Sequence, residues 1–317
     1  MLHLVTGGAG FIGSHLVDQL VERGDSVRVF DNFSSGRKEF LSGHDDSGAV
    51  ELFKGDLLDL ESVKQAVQGV DMVWHLAANP DIRLGTRVTD TDLKQGTIAT
   101  YNVVEAMRLA GVQDIAFSSS SVVYGEAEVM PTPEDFGPLF PISLYGASKL
   151  AGESYCQAFT ASYGLHTAAL RFANVYGPFS AHKNSAVHKF IKQSLDGEPI
   201  DVFGDGTQTR DFIYVDDICE AIVLASNCNS PGEAFHIATN TENSVLDLIE
   251  IINSVAKNKL KVIHHDRREG EAYRIRASIK KAQDLLGFTP QVSFAEGVKL
   301  TYQWFSAEKE KSGNIKE

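Results

Sequence analysis

The sequence predicts an α/β fold, a doubly wound parallel sheet covered by helices on both faces and joined to a smaller α+β lobe. Three observations carry this expectation. Up to about residue 175, short β-branched runs alternate with helical patterns. A glycine-rich turn follows the first of those runs and opens a helix. Beyond Asn174 the alternation becomes irregular, as in a lobe of different construction.

In chain order, the β-branched and apolar runs place strands at 2–6, 26–31, 50–54, 71–76, 114–119 and 166–172. Helices fill most intervals. Two are long, at 92–110 and 143–163, and carry enough small and apolar residues for close packing. In the second part, strands are expected at 200–203 and 209–214, and helices at 216–226 and 244–257. A strand at 234–237 is placed to rejoin the main sheet. The division expected is therefore residues 1–173 for the first domain and mainly 174–317 for the second lobe, with segments near 211–240 returning to the first. No internal repeat is visible, and the lysine-rich tail 307–317 reads as frayed.

Composition sets the outer bounds. A chain of 317 residues with 43% hydrophobic and 22% charged content can bury a substantial core. Its formal net charge of -13 excludes a nucleic-acid or anionic-membrane surface, because both depend on clustered Lys and Arg. Any phosphate must be held locally, by loop amides and a few placed cations. No run approaches the length of a membrane span, and Met1 to Gly7 lead straight into a strand and turn rather than a cleavable leader, so a cytoplasmic protein is expected. Cys156, Cys219 and Cys228 lack the paired spacing of a zinc site or a disulfide framework and read as buried thiols; no metal is expected.

The turn Gly7-Gly8-Ala9-Gly10-Phe11-Ile12-Gly13 sets Gly7, Gly10 and Gly13 three residues apart. One glycine makes the turn, one lets backbone amides approach a pyrophosphate, and one permits close helix-to-strand contact, while the helix N-terminus supplies partial positive charge. Asp31 ends the second strand, where a carboxylate can accept from adenosine ribose hydroxyls and would repel a 2′-phosphate. NAD is thereby favoured over NADP, with Arg37 keeping the NADP reading open. Asp56, after the third strand, could accept from an adenine amine or simply make a turn. The candidate cofactor contacts are Gly7, Gly10, Phe11, Ile12, Gly13, Asp31, Asn32, Ser34, Ser35, Gly36, Asp56, Leu57, Leu76, Ala77 and Ala78, together with Tyr145 and Lys149.

Tyr145 and Lys149 lie four apart at the start of a helix and share a face. A phenol titrates near pH ~10, so it is a poor base at neutral pH unless a cation stabilises the phenolate. Lys149 can supply that field and can also reach a nicotinamide ribose. Upstream, Phe117-Ser118-Ser119-Ser120-Ser121 ends a core strand in consecutive hydroxyls, at the sheet edge where open α/β folds bind ligands. A hydroxyl there can relay a substrate proton to Tyr145.

Residues 6–14, 75–78, 118–125, 145–149 and 170–178 together resemble the motif set of the extended short-chain dehydrogenases/reductases, whose sheet is of the Rossmann type. Residues 204–211 and 267–271 resemble the NAD-dependent epimerase/dehydratase branch, in an archaeal-like subgroup. The resemblance implies Ser120 as the triad hydroxyl, Tyr145 as base and Lys149 as its activator. It implies Asn174 on a substrate diphosphate, Phe203 beside a uracil, Arg210 and Arg268 as phosphate clamps, and Glu271 as a ribose acceptor. Two arginines offering bidentate donors suit a diphosphate in an acidic chain. A homodimer built on helices 92–110 and 143–163 is implied as well.

Members of that branch oxidise the sugar at C4 and diverge afterwards. Dehydratases and decarboxylases carry a carboxylate after the triad hydroxyl, whereas Ser121 and Val122 stand there in this chain. The resemblance thus implies reduction of the keto sugar after it rotates, a UDP-hexose 4-epimerase acting on UDP-glucose and UDP-galactose or their N-acetyl forms. Another nucleotide-sugar epimerase or oxidoreductase, on a UDP-uronate or dTDP-sugar, and a non-catalytic dinucleotide sensor are the other readings. Pro80 and Gly96 depart from the family's usual Lys and Asn, and Ile275 aligns with the position that gates N-acetyl groups.

Overall fold

The near-continuous apolar runs of the central strands have a direct consequence in three dimensions. Successive side chains of a strand point to opposite faces. In the first strand Leu4 and Val5 are both fully buried, in two different cores. A strand buried on both faces requires helices above and below it, and a parallel sheet with crossover helices provides them.

The computed structural model describes residues 1–317 apart from 45, 46, 182, 184, 227, 229, 230, 258, 268–272 and 315–317, and apart from the side chains of 83 and 312–314. The first half runs β1 (Leu2–Thr6), α1 (Phe11–Glu22), β2 (Ser26–Asp31), β3 (Val50–Lys54), α2 (Leu60–Ala66), β4 (Met72–His75), α3 (Ile82–Arg87), α4 (Ala99–Ala110), β5 (Asp114–Ser120), α5 (Leu144–Tyr163) and β6 (His166–Phe172). There follow β7 (Asn174–Tyr176), α6 (Ala186–Asp196), β8 (Ile200–Phe203), β9 (Thr209–Arg210), β10 (Phe212–Tyr214), α7 (Val215–Ala225) and β11 (Glu233–Ile237). The chain ends with β12 (Asn243–Ser244), α8 (Val245–Ala256), β13 (Val262–His265), α9 (Lys280–Leu286) and α10 (Phe294–Asn314).

Seven strands form one parallel sheet in the order β11-β6-β5-β4-β1-β2-β3. The order reverses at β1, which pairs with β2 on one side and β4 on the other. That reversal opens a crevice at the carboxyl ends of the strands. One face is packed by α1 and α7 around Leu16, Leu20 and Ile222, and the other by α2, α4 and α5 around Val63, Val103 and Phe159. The remaining strands make three small ribbons, β10-β7, β12-β9 and β13-β8. As the sequence predicts, β11 returns to the main sheet, in register with β6 from Glu233 opposite Ala168 to Ile237 opposite Phe172.

The structure differs from the sequence reading in four local places. The first part of the expected 92–110 helix is a π-helical turn, Leu93–Ile98, where Thr100 returns its hydroxyl to the Gly96 carbonyl. The expected strand 209–214 is broken at Asp211, whose carboxylate accepts from the Thr239 amide and hydroxyl, so β9 and β10 join different ribbons. The strand expected at 71–76 contracts to Met72–His75. The tail expected to fray is helical to Asn314, because Phe305 is buried and Lys309 reaches the Leu195 carbonyl and the Asp196 carboxylate at the end of α6. Cys156 and Cys219 are buried and Cys228 is half-buried, and none of the three is in a disulfide among the described residues.

A buried ion pair ties α5 to the sheet. The Arg171 guanidinium donates to both carboxylate oxygens of Glu153, at 2.9 and 2.7 Å, with both side chains no more than 6% exposed. The Ser119 hydroxyl donates to the same carboxylate, and Arg171 also donates to the Tyr124 hydroxyl. Removing one charge leaves the other buried without its partner, so Glu153→Gln should lower unfolding free energy by about 3–5 kcal/mol, measured by urea titration. The double substitution Glu153→Met with Arg171→Met should cost less than the single one. A loss below about 1 kcal/mol for Glu153→Gln would show that the pair does not hold α5 down.

Candidate active site

The crevice at the sheet's carboxyl edge widens into a cavity of about 800 Å³. Its first wall is the glycine turn between β1 and α1. Gly7 adopts φ +70, and a Cβ at Gly13 would lie 2.2 Å from the Gly7 carbonyl oxygen, so the turn closes only without a side chain there. Gly10 forms the N-cap of α1 with no side chain capping it and no acidic residue in the first turn. The first amides of the helix therefore remain available to an anion.

Asp31 stands at the end of β2 beside this turn, 9% exposed. Its two oxygens accept from the Ala9 amide at 3.1 Å and the Phe33 amide at 2.8 Å, and burial raises its pKa above the usual carboxylate range in spite of those bonds. Asn32 donates to Asp56 at 3.2 Å, joining the ends of β2 and β3. Gly7, Gly10, Phe11, Ile12, Gly13, Asp31, Asn32, Ser34, Ser35, Asp56, Leu57, Leu76, Ala77 and Ala78 all line the cavity. Gly36 lies just behind the wall, where a Cβ would meet the Asp31 carboxylate and Ala9 at 2.9–3.0 Å. Arg37 lies outside that wall, with its guanidinium 5.8 Å from the centre of the Phe40 ring. The shape and donors fit a dinucleotide: a glycine cradle closed to side chains, uncapped helix amides and a carboxylate at the ribose position.

Tyr145 and Lys149 enter from α5. Ser143 caps that helix by accepting from the Gly146 amide at 3.0 Å, which starts the helix just before Tyr145 and turns both side chains into the cavity. The Lys149 ammonium donates to the Ser118 carbonyl at 2.5 Å and lies 3.3 Å from the Ser118 hydroxyl, so α5 is fastened to the end of β5. Ser120 lines the cavity one step further on, and its Oγ accepts from the Val122 amide at 3.4 Å.

The electrostatics differ from the sequence reading in one respect. Burial, then the charge of Asp92, pushes the Tyr145 phenol up to about 12, and burial pulls Lys149 down to about 8 against Glu153 and Asp92. The Lys149 ammonium sits 5.6 Å from the Tyr145 ring centroid and spends its hydrogen bonds on Ser118. The chain alone thus keeps the phenol protonated at neutral pH. Asp92 is itself 1% exposed; one oxygen accepts from Asn79 at 3.0 Å and the other has no hydrogen-bond partner.

Gly96 sits where the family's usual Asn is absent, and the packing gives the reason. A Cβ there would lie 2.4 Å from the Ser148 hydroxyl of α5, which donates to the Tyr145 carbonyl at 2.8 Å. Gln95, beside it, lines the cavity, as does Pro80.

The second lobe contributes unevenly. Asn174 lines the cavity at the start of β7 and donates to the Asp211 carbonyl at 3.2 Å, and Ile275 also lies on the wall. Phe203 does not line the cavity: at the end of β8 its ring stacks on His265, with centroids 5.0 Å apart. Arg210 is also off the wall, because its guanidinium donates to its own neighbour's carbonyl at Thr209, at 2.8 Å. Arg268 and Glu271 lie outside the described residues. The sequence reading missed Lys183, Ser185 and Arg87, which also line the cavity. None belongs to a periodic pattern. The one available signal was position, since Lys183 and Ser185 follow β7 at a carboxyl strand edge.

The match to known proteins covers this whole arrangement. The model of the NAD dependent epimerase/dehydratase family matches residues 3–238. The chain belongs to that family. It is 37% identical over 305 residues, 95% of this chain and 97% of the relative, to a putative UDP-glucose 4-epimerase of Methanocaldococcus jannaschii. A UDP-glucose 4-epimerase of Thermotoga maritima, solved with UDP-glucose, superposes with a TM-score of 0.92 at 35% identity, covering 98% of this chain and 100% of that one. A UDP-glucuronic acid 4-epimerase of Bacillus cereus, solved with UDP-glucuronic acid and NAD, superposes with a TM-score of 0.90 at 30% identity, covering 97% and 100%. As a member of the epimerase/dehydratase family the chain is an NAD-dependent enzyme of nucleotide-sugar chemistry. Among its described residues no helix is long and apolar enough to cross a membrane.

Beneath the cavity His75 is fully enclosed, its ring nitrogens 2.8 Å from the Thr6 hydroxyl and 3.0 Å from that of Thr100. Burial, then Lys149, drives its pKa from 6.5 down to about 3. Its contribution to stability is intact above pH 6.5 and is lost as pH falls through that value, because the unfolded chain takes up a proton that the fold refuses. The melting temperature should therefore drop between pH 7.5 and pH 5, and His75→Asn should drop less over the same interval. Equal drops in both proteins would show that His75 is not the group responsible.

Proposed function

We propose that this chain is a UDP-hexose 4-epimerase, interconverting UDP-glucose and UDP-galactose or their N-acetyl forms through a transient 4-keto sugar. One observation carries the reading. Asp31, Asp56 and Asp81 are the carboxylates on the described cavity wall, at the dinucleotide end and on the segment between β4 and α3, while Ser118 to Val122, Tyr145 and Asn174 present none. A dehydratase or decarboxylase needs a carboxylic acid or base beside the sugar, and without one the keto sugar is simply reduced again.

In this mechanism the Ser120 hydroxyl orients the C4 hydroxyl, and Tyr145 accepts its proton as C4 is oxidised. NAD, when bound, would supply reversible two-electron chemistry at C4 and a positive charge favouring the phenolate that burial and Asp92 oppose. Lys149, held by Ser118, keeps α5 in place and adds positive potential from beneath. Rotation of the keto sugar about its diphosphate linkage presents the other face of C4, and Tyr145 then gives the proton back. Asn174 holds the diphosphate during that turn, with Arg268 as a phosphate clamp and Glu271 as a ribose acceptor. Residues 1–173 serve the dinucleotide in this scheme and residues 174–317 mainly the sugar nucleotide. Tyr101 and Tyr155, each 39% exposed with rings 5.8 Å apart on neighbouring α4 and α5, support a homodimer formed across those helices.

The test is a panel of UDP-, dTDP- and GDP-sugars incubated with the purified protein, with products separated and NADH followed. Conversion of UDP-galactose without net NADH is expected. Tyr145→Phe should lower turnover by about 100- to 10,000-fold with unchanged NAD content and circular dichroism. Retained turnover would remove Tyr145 from the mechanism. Conversion of UDP-uronates alone would overturn the hexose assignment and leave the family untouched.

A further inference from the structure

Lys183 occupies the loop between β7 and α6. Its ammonium stands 4.9 Å from the centre of the Phe11 ring and 3.3 Å from the Val175 carbonyl, which it meets as a donor. Phe11 opens α1 at the glycine turn and Val175 follows Asn174, so two contacts locate the charge between the dinucleotide cradle and the β7 edge. All four residues line the same cavity.

Three cations lie on that wall among the described residues, Arg87, Lys149 and Lys183. Lys149 is engaged by Ser118, and Arg87 sits exposed on α3. No ion pair joins Lys183 to a described carboxylate, although the chain carries a formal net charge of -13. Lys183 is half-buried, and its loss of water alone pulls its pKa from 10.5 down to about 8, with no carboxylate pulling the other way. A cation drawn out of water without a counter-charge is unfavourable for the fold by itself and becomes favourable when an anion arrives. The helix amides beside it favour negative charge at the same place.

We propose that Lys183 is a phosphate-binding residue, its ammonium bonding a diphosphate held between the start of α1 and Asn174. A diphosphate is common to the dinucleotide and to a nucleotide sugar, and Lys183 faces the place where either would lie. This inference rests on the family's NAD dependence and on the cavity taking a nucleotide sugar. It does not rest on which sugar reacts, so it can fail or succeed independently of the epimerase assignment.

The experiment reads binding rather than turnover. NAD is titrated calorimetrically into dinucleotide-free protein, and UDP into NAD-loaded protein, at pH 8 in two buffers of different ionisation heat. An anion reaching the ammonium raises its pKa, so one titration should take up about half a proton more in the wild type than in Lys183→Met. The same titration should show Lys183→Met binding about 10- to 100-fold more weakly, and the ligand concerned identifies the diphosphate. Lys183→Arg, charged at every accessible pH, should bind within a few-fold of wild type without the extra uptake. Ligand-free Lys183→Met should melt no lower than wild type, since it loses a charge that no described carboxylate balances. Unchanged affinities and uptake in Lys183→Met would overturn the proposal. So would a destabilised Lys183→Met accompanied by wild-type proton uptake in Lys183→Arg, the mark of a purely structural lysine.

Discussion

The bond from the Lys149 ammonium to the Ser118 carbonyl, 2.5 Å long, joins the one helix that carries the phenol to the one strand that carries the hydroxyls. Everything chemical in the cavity depends on that register. Ser143 sets where α5 begins, Gly96 and Gly152 let it approach the π-helical turn and Phe117 closely, and the Glu153–Arg171 pair fastens its middle to β6. A helix held at three heights cannot slide, so Tyr145 and Ser120 keep their relation without touching through a hydrogen bond of their own. Rigid support from elements rather than loops is what a site needs to hold reacting atoms in line.

That rigidity has an electrostatic cost. His75, Lys149 and Asp92 sit out of water beside the half-buried Tyr145, and loss of water is the largest influence on His75, Lys149 and Tyr145. The phenol is pushed away from ionisation in the protein alone, and one oxygen of Asp92 has no hydrogen-bond partner. Such an arrangement is poor for stability and suited to a site completed by a charged ligand, where each group is worth more because the surroundings are dry. The acidic surface adds to this. A protein of net charge -13 that gathers two phosphate-bearing ligands must rely on helix amides and a few enclosed cations.

The two lobes carry different burdens of precision. Every strand of the seven-stranded sheet is braced by neighbours on one or both sides, and its central strands by helices as well, whereas the second lobe presents short ribbons of two strands. Phe203 and Arg210 lie on those ribbons, turned to His265 and to the Thr209 carbonyl. Asn174 lies on a ribbon of the same kind, β7 against β10, and yet stays on the cavity wall.

Much of this could be read from the chain itself, because the physics involved is local. A short apolar run at Leu2 to Thr6, a glycine triplet after it and a carboxylate ending the next run point to a parallel sheet with a phosphate turn whatever lies elsewhere. Tyr145 and Lys149 share a helix face by spacing alone. Tertiary structure decided what depends on distant partners. The break at Asp211 comes from Thr239, the helical tail from Lys309 meeting α6, and the glycine at 96 from Ser148. The protonation of Tyr145 and the placement of Lys183 belong to the same class. Burial and field are sums over neighbours that sequence spacing does not contain.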